Sequence, residues 1–464
     1  MIRTRIAPSP TGQDVHVGTV ATGLMNYAWA KKNNGKFVIR IEDTDRSRLV
    51  PGGEERMLTT LESLGLVADE SPLAGGPFAP YRQSERLPLY KKYAEELIAK
   101  GKAYYCTCSA ERLDEMRKQQ QQNKQVPKYD RHCLNRQEEV KKEIEEGAKF
   151  VVRMLMPDEK ISFTDTVRGT ITIDGGLLDD QVILKSDGFP TYHLAVVVDD
   201  HLMEITHVIR GEEWMPSTPK HVVLYRALGW ELPQYTHVSL MRNPDKSKLS
   251  KRKNPVWASD YLNRGILREA LLNYLALMGW SHPDGKDIFT LDEYISLFDI
   301  KDLQTTAPVF DPVKLEWMNG EYIRMMNPKR LAEMVYTYFA GVFSKDLVEK
   351  TIPLVQERIK TLKEYESYCL FFKEQPSQYE ISLGEHQSML KAIGDELASL
   401  DNWSSETIGT KMVETAEKLG VKNSIFFMVL RVAITGKKVT PPLNDSMAIL
   451  GKEECIARIA RLIM

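Results

Sequence analysis

The stretch from residue 2 to residue 41, IRTRIAPSPTGQDVHVGTVATGLMNYAWAKKNNGKFVIRI, decides the fold class of this chain. Its alternating start, IRTRI at 2–6, predicts a strand, and the PSPTGQD that follows predicts a loop. From His16 to Lys32 the apolar residues recur at helical spacing, and KFVIRI at 36–41 predicts a second strand. A strand, a helix and a strand in this order form half of a nucleotide-binding α/β layer.

The composition is that of a globular protein, with 42% hydrophobic and 27% charged residues in a chain of 464. The formal net charge is -2, so no overall positive field attracts nucleic acid, and RNA binding would depend on local basic patches. Five cysteines are too few and too unevenly placed for a disulfide framework. No signal peptide and no membrane-spanning run of apolar residues is recognisable. We therefore expect a cytoplasmic protein without membrane contact.

The pattern changes after the first α/β segment. Residues 85–150 are polar and helical, whereas 150–185 contain short β-type segments, so we expect a small mixed subdomain that interrupts the α/β layer. The layer resumes near 190, where LAVVV at 194–198 and THVIR at 206–210 predict strands. The remainder of the chain reads mostly as helix.

The first segment with chemical meaning is PSPTGQDVHVGT at 8–19, where a loop runs into a helix start. Gly12 permits a turn, and Gly18 lets the backbone approach a ligand closely. A helix N-terminus offers unpaired N–H groups that suit phosphate, and His16 could donate to phosphate oxygens. By itself the segment is equally compatible with an ordinary loop and a capping histidine.

The second is DKSKLSKRK at 245–253, which has five basic residues against one acid. A positively charged loop of this kind could hold a triphosphate and stabilise charge that develops on it. A solvated basic turn is the more common interpretation of such a run when it stands alone.

Together, HVGT at 16–19 and KLSKR at 248–252 resemble the two signature motifs of class I aminoacyl-tRNA synthetases. Further segments resemble bacterial glutamyl-tRNA synthetases and cover nearly the whole chain. They are RIAPSPTG (5–12), RIEDTDRSR (40–48), FAPYRQSER (78–86), GFPTYHLA (188–195), VIRGEEW (208–214), NPDKSKLSKRK (243–253), APVFD (307–311), KLEWMNGEYIR (314–324) and TGKKVTPPL (435–443).

The resemblance implies a fold and a domain order. The expected fold is α/β: a Rossmann-like class I synthetase catalytic domain with an α+β acceptor-binding insertion and a mostly α-helical C-terminal anticodon-binding region. The expected boundaries are 1–84 with 184–240 for the split catalytic domain, 85–183 for the insertion, 241–322 for a stem-contact region and 323–464 for the anticodon-binding region.

The resemblance also implies a two-step reaction. ATP and glutamate give glutamyl-adenylate and pyrophosphate, and the acyl group then moves to the 3′-terminal ribose of tRNA(Glu) with release of AMP. The attacking carboxylate has an ordinary pKa of about 4 and is ionised at pH 7, so positioning and charge stabilisation suffice without a protein nucleophile. Mg²⁺ is expected on the phosphates.

The residues implied for ATP binding are His16, Gly18, Lys248, Ser250 and Lys251, of which His16, Lys248 and Lys251 are implied to be catalytic. The fourth position of the first motif is Thr19 and not histidine, so no second histidine acts there. Three residues separate PTG from His16, a spacing that reshapes the loop slightly.

Glutamate has two carboxylates and one ammonium, so its pocket requires two cationic anchors and one anionic anchor. By the resemblance these are Arg5, Arg210 and Glu42, and the pocket is lined by Ala7, Ser9, Tyr192 and Trp214. The family commonly reads YHLAN where this chain reads YHLAV. Val196 therefore replaces an asparagine, and a hydrogen bond to the amino acid is lost.

Cys106, Cys108, Tyr129 and Cys133 resemble the zinc site found in the insertion of some family members. Three thiolates and a phenolate could form a tetrahedral set for one structural Zn²⁺. Free cytosolic thiols remain an alternative, and His132 competes as the fourth ligand. Asn135 stands where a related pattern has histidine, which favours Tyr129. Cys369 and Cys455 are interpreted as buried structural thiols.

Arg358 lies where an arginine accompanies anticodon reading restricted to glutamate, although a solvated helix arginine is an alternative. The expected partners are tRNA(Glu), glutamate and ATP, and we expect a monomer. The helical C-terminal part disfavours a glutaminyl-tRNA synthetase, which has a β-barrel there, and the length disfavours the short paralogue that glutamylates queuosine. An enzyme that also charges tRNA(Gln) and an inactive tRNA-binding homologue remain alternatives.

Overall fold

The computed structural model describes residues 1–247, 249 and 255–463. Lys248, Ser250 and Lys251 of the second signature motif lie outside the described residues. The chain forms two compact units. The first comprises Met1–Tyr261 and Leu271–Asp311, and the second comprises Leu262–Ala270 and Pro312–Met464.

The predicted strand–helix–strand opening is confirmed in the first unit. Strand β1 (Arg3–Ile6) leads into helix α1 (Val17–Lys32) and then into β2 (Lys36–Ile39), which pairs with β1 in parallel. The helix lies against both strands because its apolar residues, among them Val20 and Leu24, are fully buried. Burial of this apolar face is the main stabilising contribution to such a layer.

Two later strands extend the sheet on the other side of β1. They are β8 (His207–Gly211) and β9 (Gln234–Val238), which pair in parallel. Strand β8 begins beside β1, since the Thr206 N–H donates to the Arg3 carbonyl at 3.0 Å. The chain thus leaves β1 for β2 on one side and returns to β8 on the other, which makes the end of β1 a topological switch point.

The prediction of a strand at 194–198 is wrong. These residues lie in helix α6 (Tyr192–Leu202), in which every residue from Leu194 to Asp200 is buried. A short apolar run buried on all sides has no helical periodicity, so its valines imitate a strand. The prediction of a strand at 206–210 is confirmed by β8, whereas β9 was missed because the chain after residue 210 reads mostly as helix.

The middle of the first unit contains the short strands predicted at 150–185. A three-stranded sheet is formed by β3 (Ala103–Cys106), β4 (Val151–Met154) and β7 (Val182–Leu184). The hairpin of β5 (Lys160–Asp165) and β6 (Gly169–Asp174) instead joins β9, through Asp165 opposite Tyr235. The helices of this region are α3 (Leu87–Ala99), α4 (Ala110–Gln122) and α5 (Gln137–Glu145).

The other helices up to the unit boundary are α2 (Gly53–Ser63), α7 (Thr218–Leu228), α8 (Ala258–Asn263), α9 (Arg268–Ala276) and α10 (Leu291–Leu297). Short 3₁₀ helices span Arg46–Arg48, Gln83–Arg86, Leu134–Arg136, Gly175–Leu177, Glu212–Ser217, Ile300–Asp302 and Gly384–His386.

The second unit is helical, as predicted for the C-terminal region. Its helices are α11 (Pro312–Met325), α12 (Pro328–Tyr338), α13 (Lys345–Val355), α14 (Glu364–Lys373), α15 (Gln387–Ala398), α16 (Ser405–Lys418), α17 (Asn423–Thr435), α18 (Leu443–Leu450) and α19 (Lys452–Arg461). Helices α15 to α19 share one apolar core, in which Cys455 is buried. Cys369 is buried in α14. None of the helices within the described part of the chain is long and apolar enough to cross a membrane.

Candidate active site

A cavity of about 780 Å³ opens at the switch point of the first unit. Its floor is formed where β1, β8 and β9 end, and one wall is the N-terminus of α1. The carboxyl ends of parallel strands meet at one edge, and the divergence of the chain around β1 leaves a crevice there. The sheet topology therefore determines where this cavity lies.

The cavity brings together the predicted residues that the structure describes in this region. Those residues are Arg5, Ala7, Ser9, His16, Gly18, Glu42, Tyr192, Arg210 and Trp214. Thr19 and Val196 also line the cavity. Their shared location is a geometric finding, and their roles as ligands of a substrate remain predictions.

The start of α1 is shaped by His16 and Gly18. His16 is the N-cap residue, and its Nδ1 accepts a hydrogen bond from the Gly18 N–H at 2.9 Å. This bond places the ring proton of a neutral His16 on Nε2. A Cβ at Gly18 would lie 3.0 Å from the same Nδ1, so a larger residue would crowd the cap.

The segment before α1 pairs with the segment that follows the basic loop. The Val17 N–H donates to the Val256 carbonyl at 2.8 Å, and the Ala258 N–H donates to the Val15 carbonyl at 3.0 Å. Trp257 packs so closely on Gly12 that a side chain at Gly12 has no room. The backbone thus connects the first signature motif to residues that directly follow the second.

Arg5, which lines the cavity, shares one buried carboxylate with Arg40, which does not line it. The Arg5 Nε lies 3.1 Å from Asp200 Oδ1, and the Arg40 Nη1 lies 2.8 Å from the same oxygen. Although burial would raise the pKa of Asp200, both guanidiniums hold it below its ordinary value. Arg5 therefore reaches the cavity with part of its charge already balanced.

Glu42 is a carboxylate of the cavity whose pKa is raised toward neutral pH. Burial raises the pKa of Glu42 to about 7, against the opposing effect of Arg40 and Arg5. Its Oε1 lies 3.3 Å from the Arg40 Nη2. A carboxylate in this state gains a proton near neutral pH unless a further cation approaches it.

Arg40, Asp199 and Asp200 were not identified from the sequence. The available signal was the pair of adjacent acids at the end of VVVDD, since acids inside an apolar run are buried only when paired. Their partners could not be named, because Arg5 lies 195 residues from Asp200 along the chain.

Arg210 is the second guanidinium of the cavity and is 5% exposed. Its Nη1 donates to the Tyr192 hydroxyl at 3.0 Å, and its Nη2 donates to the Thr218 hydroxyl at 2.7 Å. The Tyr192 ring lies 4.4 Å from the ring of Trp214, which is 39% exposed at the mouth of the cavity. Arg210 is thus held by uncharged groups under an aromatic wall.

The predicted metal ligands converge at a second place in the first unit. The Sγ atoms of Cys106, Cys108 and Cys133 all lie within 4.8 Å of one another, with Cys108 and Cys133 3.5 Å apart. The Tyr129 hydroxyl lies 3.4 Å from Cys106 Sγ and 3.3 Å from Cys108 Sγ. His132, the competing ligand, is exposed, and its Nε2 lies 2.7 Å from Arg136 Nη1.

These distances fit an ion with tetrahedral coordination. Zinc–sulfur bonds of about 2.3 Å at tetrahedral angles place two sulfurs roughly 3.7 Å apart. The Cys108–Cys133 separation of 3.5 Å is close to this value. The donor set therefore has the chemistry and the spacing of a zinc site.

Arg358 lies in the second unit, in the turn after α13, and is exposed. It is near Arg431: burial first, and then the positive charge of Arg358, lower the pKa of Arg431. Two neighbouring guanidiniums favour an anionic ligand. The role of Arg358 in anticodon reading remains a prediction.

Comparison with known proteins gives two family matches. Residues 1–317 match the catalytic domain of class I tRNA synthetases (E and Q), and residues 330–463 match an anticodon-binding domain. A glutamate–tRNA ligase from Acidothermus cellulolyticus is 46% identical over 484 residues, which covers 99% of this chain and 95% of the relative.

Two solved structures are similar over the whole chain. A glutamate tRNA ligase from Elizabethkingia meningosepticum, in complex with its amino acid, has a TM-score of 0.89 at 37% identity and covers 100% of this chain and 99% of its own. A glutamate-tRNA synthetase from Elizabethkingia anophelis has a TM-score of 0.88 at 37% identity, with the same coverage.

Proposed function

The chain belongs to the glutamate–tRNA ligases, a family of class I aminoacyl-tRNA synthetases, and we propose that the described cavity binds glutamate beside ATP. One observation carries the proposal: among the charged residues that line the cavity, the most deeply buried are two guanidiniums and one carboxylate, from Arg5, Arg210 and Glu42. This set complements the two carboxylates and the ammonium of glutamate.

The reaction follows from positioning. The glutamate α-carboxylate attacks the α-phosphorus of ATP, the bond to pyrophosphate breaks, and glutamyl-adenylate forms. The 3′-terminal ribose hydroxyl of tRNA(Glu) then displaces AMP. Because the first nucleophile is already ionised, the protein contributes by aligning the reactants and by stabilising charge on the phosphates.

His16 and Gly18 are proposed to hold ATP at the N-terminus of α1. The Nε2–H of His16 supplies a donor, and the positive end of the α1 dipole favours the phosphates. The proposed phosphate ligands Lys248, Ser250 and Lys251 lie outside the described residues. Mg²⁺ is proposed to accompany ATP and to neutralise charge on its phosphates.

Exchange of labelled pyrophosphate into ATP tests this assignment. We expect exchange that depends on both glutamate and tRNA(Glu), since the family typically requires tRNA for activation. Exchange supported by glutamine would reassign the amino acid. A protein that binds tRNA without any exchange would be the inactive homologue, and Lys251→Ala is the matched variant, because it should abolish exchange only in an active enzyme.

Charging of tRNA(Glu) and tRNA(Gln) transcripts separates the discriminating enzyme from the alternative that accepts both. We expect glutamate to be transferred to tRNA(Glu) in preference to tRNA(Gln). Equal charging of the two would establish the broader specificity. We further propose a monomer, as the resemblance implies, and a cytoplasmic location, for which no signal peptide was recognisable in the sequence.

We also propose one structural Zn²⁺, held by Cys106, Cys108, Cys133 and Tyr129. The distances and the position of His132 support this set. Elemental analysis of purified protein should give about one zinc per chain, with loss of the metal in Cys133→Ser. His132→Ala is the control and should keep the metal. If zinc is lost from His132→Ala but kept in Tyr129→Phe, the fourth ligand is His132 and not Tyr129.

A further inference from the structure

The guanidinium of Arg210 differs in its partners from those of Arg5 and Arg48, which also line the cavity. Arg5 bonds to Asp200, and the exposed Arg48 bonds to Asp45. In the part of the chain that the structure describes, Arg210 has no carboxylate partner, and its bonds go to the side chains of Tyr192, Thr218, His221 and His237 and to the Trp214 carbonyl. A guanidinium buried among neutral groups retains its whole charge for a ligand.

The donors of Arg210 fix the protonation of His237. The Arg210 Nε lies 3.2 Å from the His237 Nε2, and a guanidinium can only donate. Nε2 must therefore accept, so the ring proton is on Nδ1. That proton is donated to Asp165, since His237 Nδ1 lies 2.8 Å from Asp165 Oδ2.

Asp165 is itself held in place by the backbone. Its Oδ1 accepts from the N–H groups of Val167 and Arg168 at 3.0 and 2.9 Å. Its Oδ2 also accepts a hydrogen bond from the backbone N–H of His237 at 2.9 Å. The side chains of His237 and Asp165 are both 0% exposed. A fixed carboxylate therefore determines the tautomer and the orientation of the imidazole.

The imidazole stays uncharged beside Arg210. Burial is the main cause that lowers the pKa of His237, and the charges of Arg210 and Arg168 add to it, against the opposing effect of Asp165. Two rings pack on the imidazole. The centroid of the Tyr235 ring lies 6.2 Å from that of the imidazole, and the centroid of the Phe163 ring lies 6.3 Å from it. A neutral and immobile acceptor thus lies behind the guanidinium.

We infer that His237, oriented by Asp165, is a positioning residue that aims the uncompensated guanidinium of Arg210 at a carboxylate of the amino-acid substrate. This inference rests on the proposed function. His237 does not touch the substrate, and it acts by supplying an acceptor to the Nε of Arg210. A carboxylate in its place would hold the guanidinium equally well but would neutralise it.

Two substitutions at His237 separate its two bonds. Asn places an amide near the position of Nδ1, so His237→Asn keeps a donor for Asp165 and loses the acceptor for Arg210. Gln places an amide oxygen near the position of Nε2, so His237→Gln keeps the acceptor. In tRNA-dependent pyrophosphate exchange, His237→Asn should raise the KM for glutamate about tenfold, and His237→Gln less than about threefold.

Asp165→Asn tests the tautomer. Its amide can donate to Nδ1, which would move the ring proton to Nε2 and direct it at the Arg210 N–H. We expect a rise in the KM for glutamate similar to that of His237→Asn. His207→Asn is the matched control, because His207 is a buried histidine of the same unit that does not line the cavity.

The KM for ATP distinguishes positioning from general damage. We expect it to stay unchanged in all four variants. A parallel rise of the KM for ATP and for glutamate, or equal effects of Asn and Gln at His237, would overturn the inference in favour of a structural role. An unchanged KM for glutamate in His237→Asn would overturn the inference alone, whereas no exchange by the unmodified protein would overturn the proposed function and this inference together.

Discussion

The abnormal pKa of Glu42 gives the cavity a measurable dependence on pH. Because the pKa of Glu42 is about 7, its carboxyl is mostly protonated below this pH and cannot then pair with the substrate ammonium. Asp200 stays ionised because its pKa is lowered, and His221 stays neutral because burial lowers its pKa. Glu42 is therefore the group expected to control glutamate binding near neutral pH.

We predict that the KM for glutamate falls as the pH rises, by up to about tenfold per unit below pH 7, and levels off above it. The measurement is pyrophosphate exchange at saturating ATP and tRNA from about pH 6 to pH 8.5. Glu42→Gln should have a high KM that no longer changes in this range. A pH dependence that survives in Glu42→Gln would assign the titration to another group.

Val196 presents an apolar surface where the family commonly has asparagine. It is 2% exposed and lines the cavity. We predict that Val196→Asn lowers the KM for glutamate about fivefold, since one added hydrogen bond contributes roughly 1 kcal/mol. Val196→Leu has nearly the same size and no amide, so it should not lower the KM. Equal effects of the two variants would show that the amide makes no contact with the substrate.

For single residues, the sequence motifs identified the side chains that face the cavity but not the side chains that hold them in place. Arg5 and Arg210 belong to short motifs whose residues could be matched one by one. Asp200 and His237 reach them from distant positions in the chain, and only the folded sheet brings them together. A pattern of neighbours in sequence contains no information about such contacts.

Among the elements, helix α6 shows where periodicity fails. Its buried run of valines was predicted as a strand, because a helix surrounded by other elements has no polar face. The polar residues at the end of the run anchor it. Asp199 accepts hydrogen bonds from Arg86 at 2.7 Å, Tyr90 at 2.8 Å and Gln83 at 2.9 Å.

We predict that Asp199→Asn destabilises the first unit by about 3 kcal/mol, because Arg86 is then buried without its counter-charge. The thermal unfolding midpoint of that unit should fall by roughly 5–10 °C in a calorimetric scan. Asp114→Asn, which affects an exposed ion pair on α4, should leave the midpoint nearly unchanged. Similar midpoints for both variants would contradict a buried anchoring role for Asp199.

For the whole molecule, the resemblance predicted more than the residue pattern could. The pattern alone gave a nucleotide-binding layer followed by helices. Ordered motifs along the chain predicted a catalytic part and an anticodon-binding part, and the family matches at 1–317 and 330–463 bear this out. The contents of each part, such as the missed strand β9, still required the structure.

Residues 330–463 match an anticodon-binding domain, so we expect the second unit to contribute to the choice of tRNA. Arg358 is exposed and close to Arg431, so it can offer its charge to an anticodon nucleotide. We predict that Arg358→Gln raises kcat/KM for tRNA(Gln) relative to tRNA(Glu) by roughly tenfold, since loss of one arginine contact to a base relaxes specificity there by about 1–3 kcal/mol. The KM values for glutamate and ATP should not change, because the proposed site of these ligands lies in the first unit. Charging of both transcripts at limiting tRNA measures the ratio, and Arg330→Gln, which removes an exposed arginine of α12, should leave the ratio as it is.

If Arg358→Gln lowers charging of both tRNAs equally, Arg358 contacts the backbone of the tRNA and does not read the anticodon, because a phosphate contact has no preference between the two sequences.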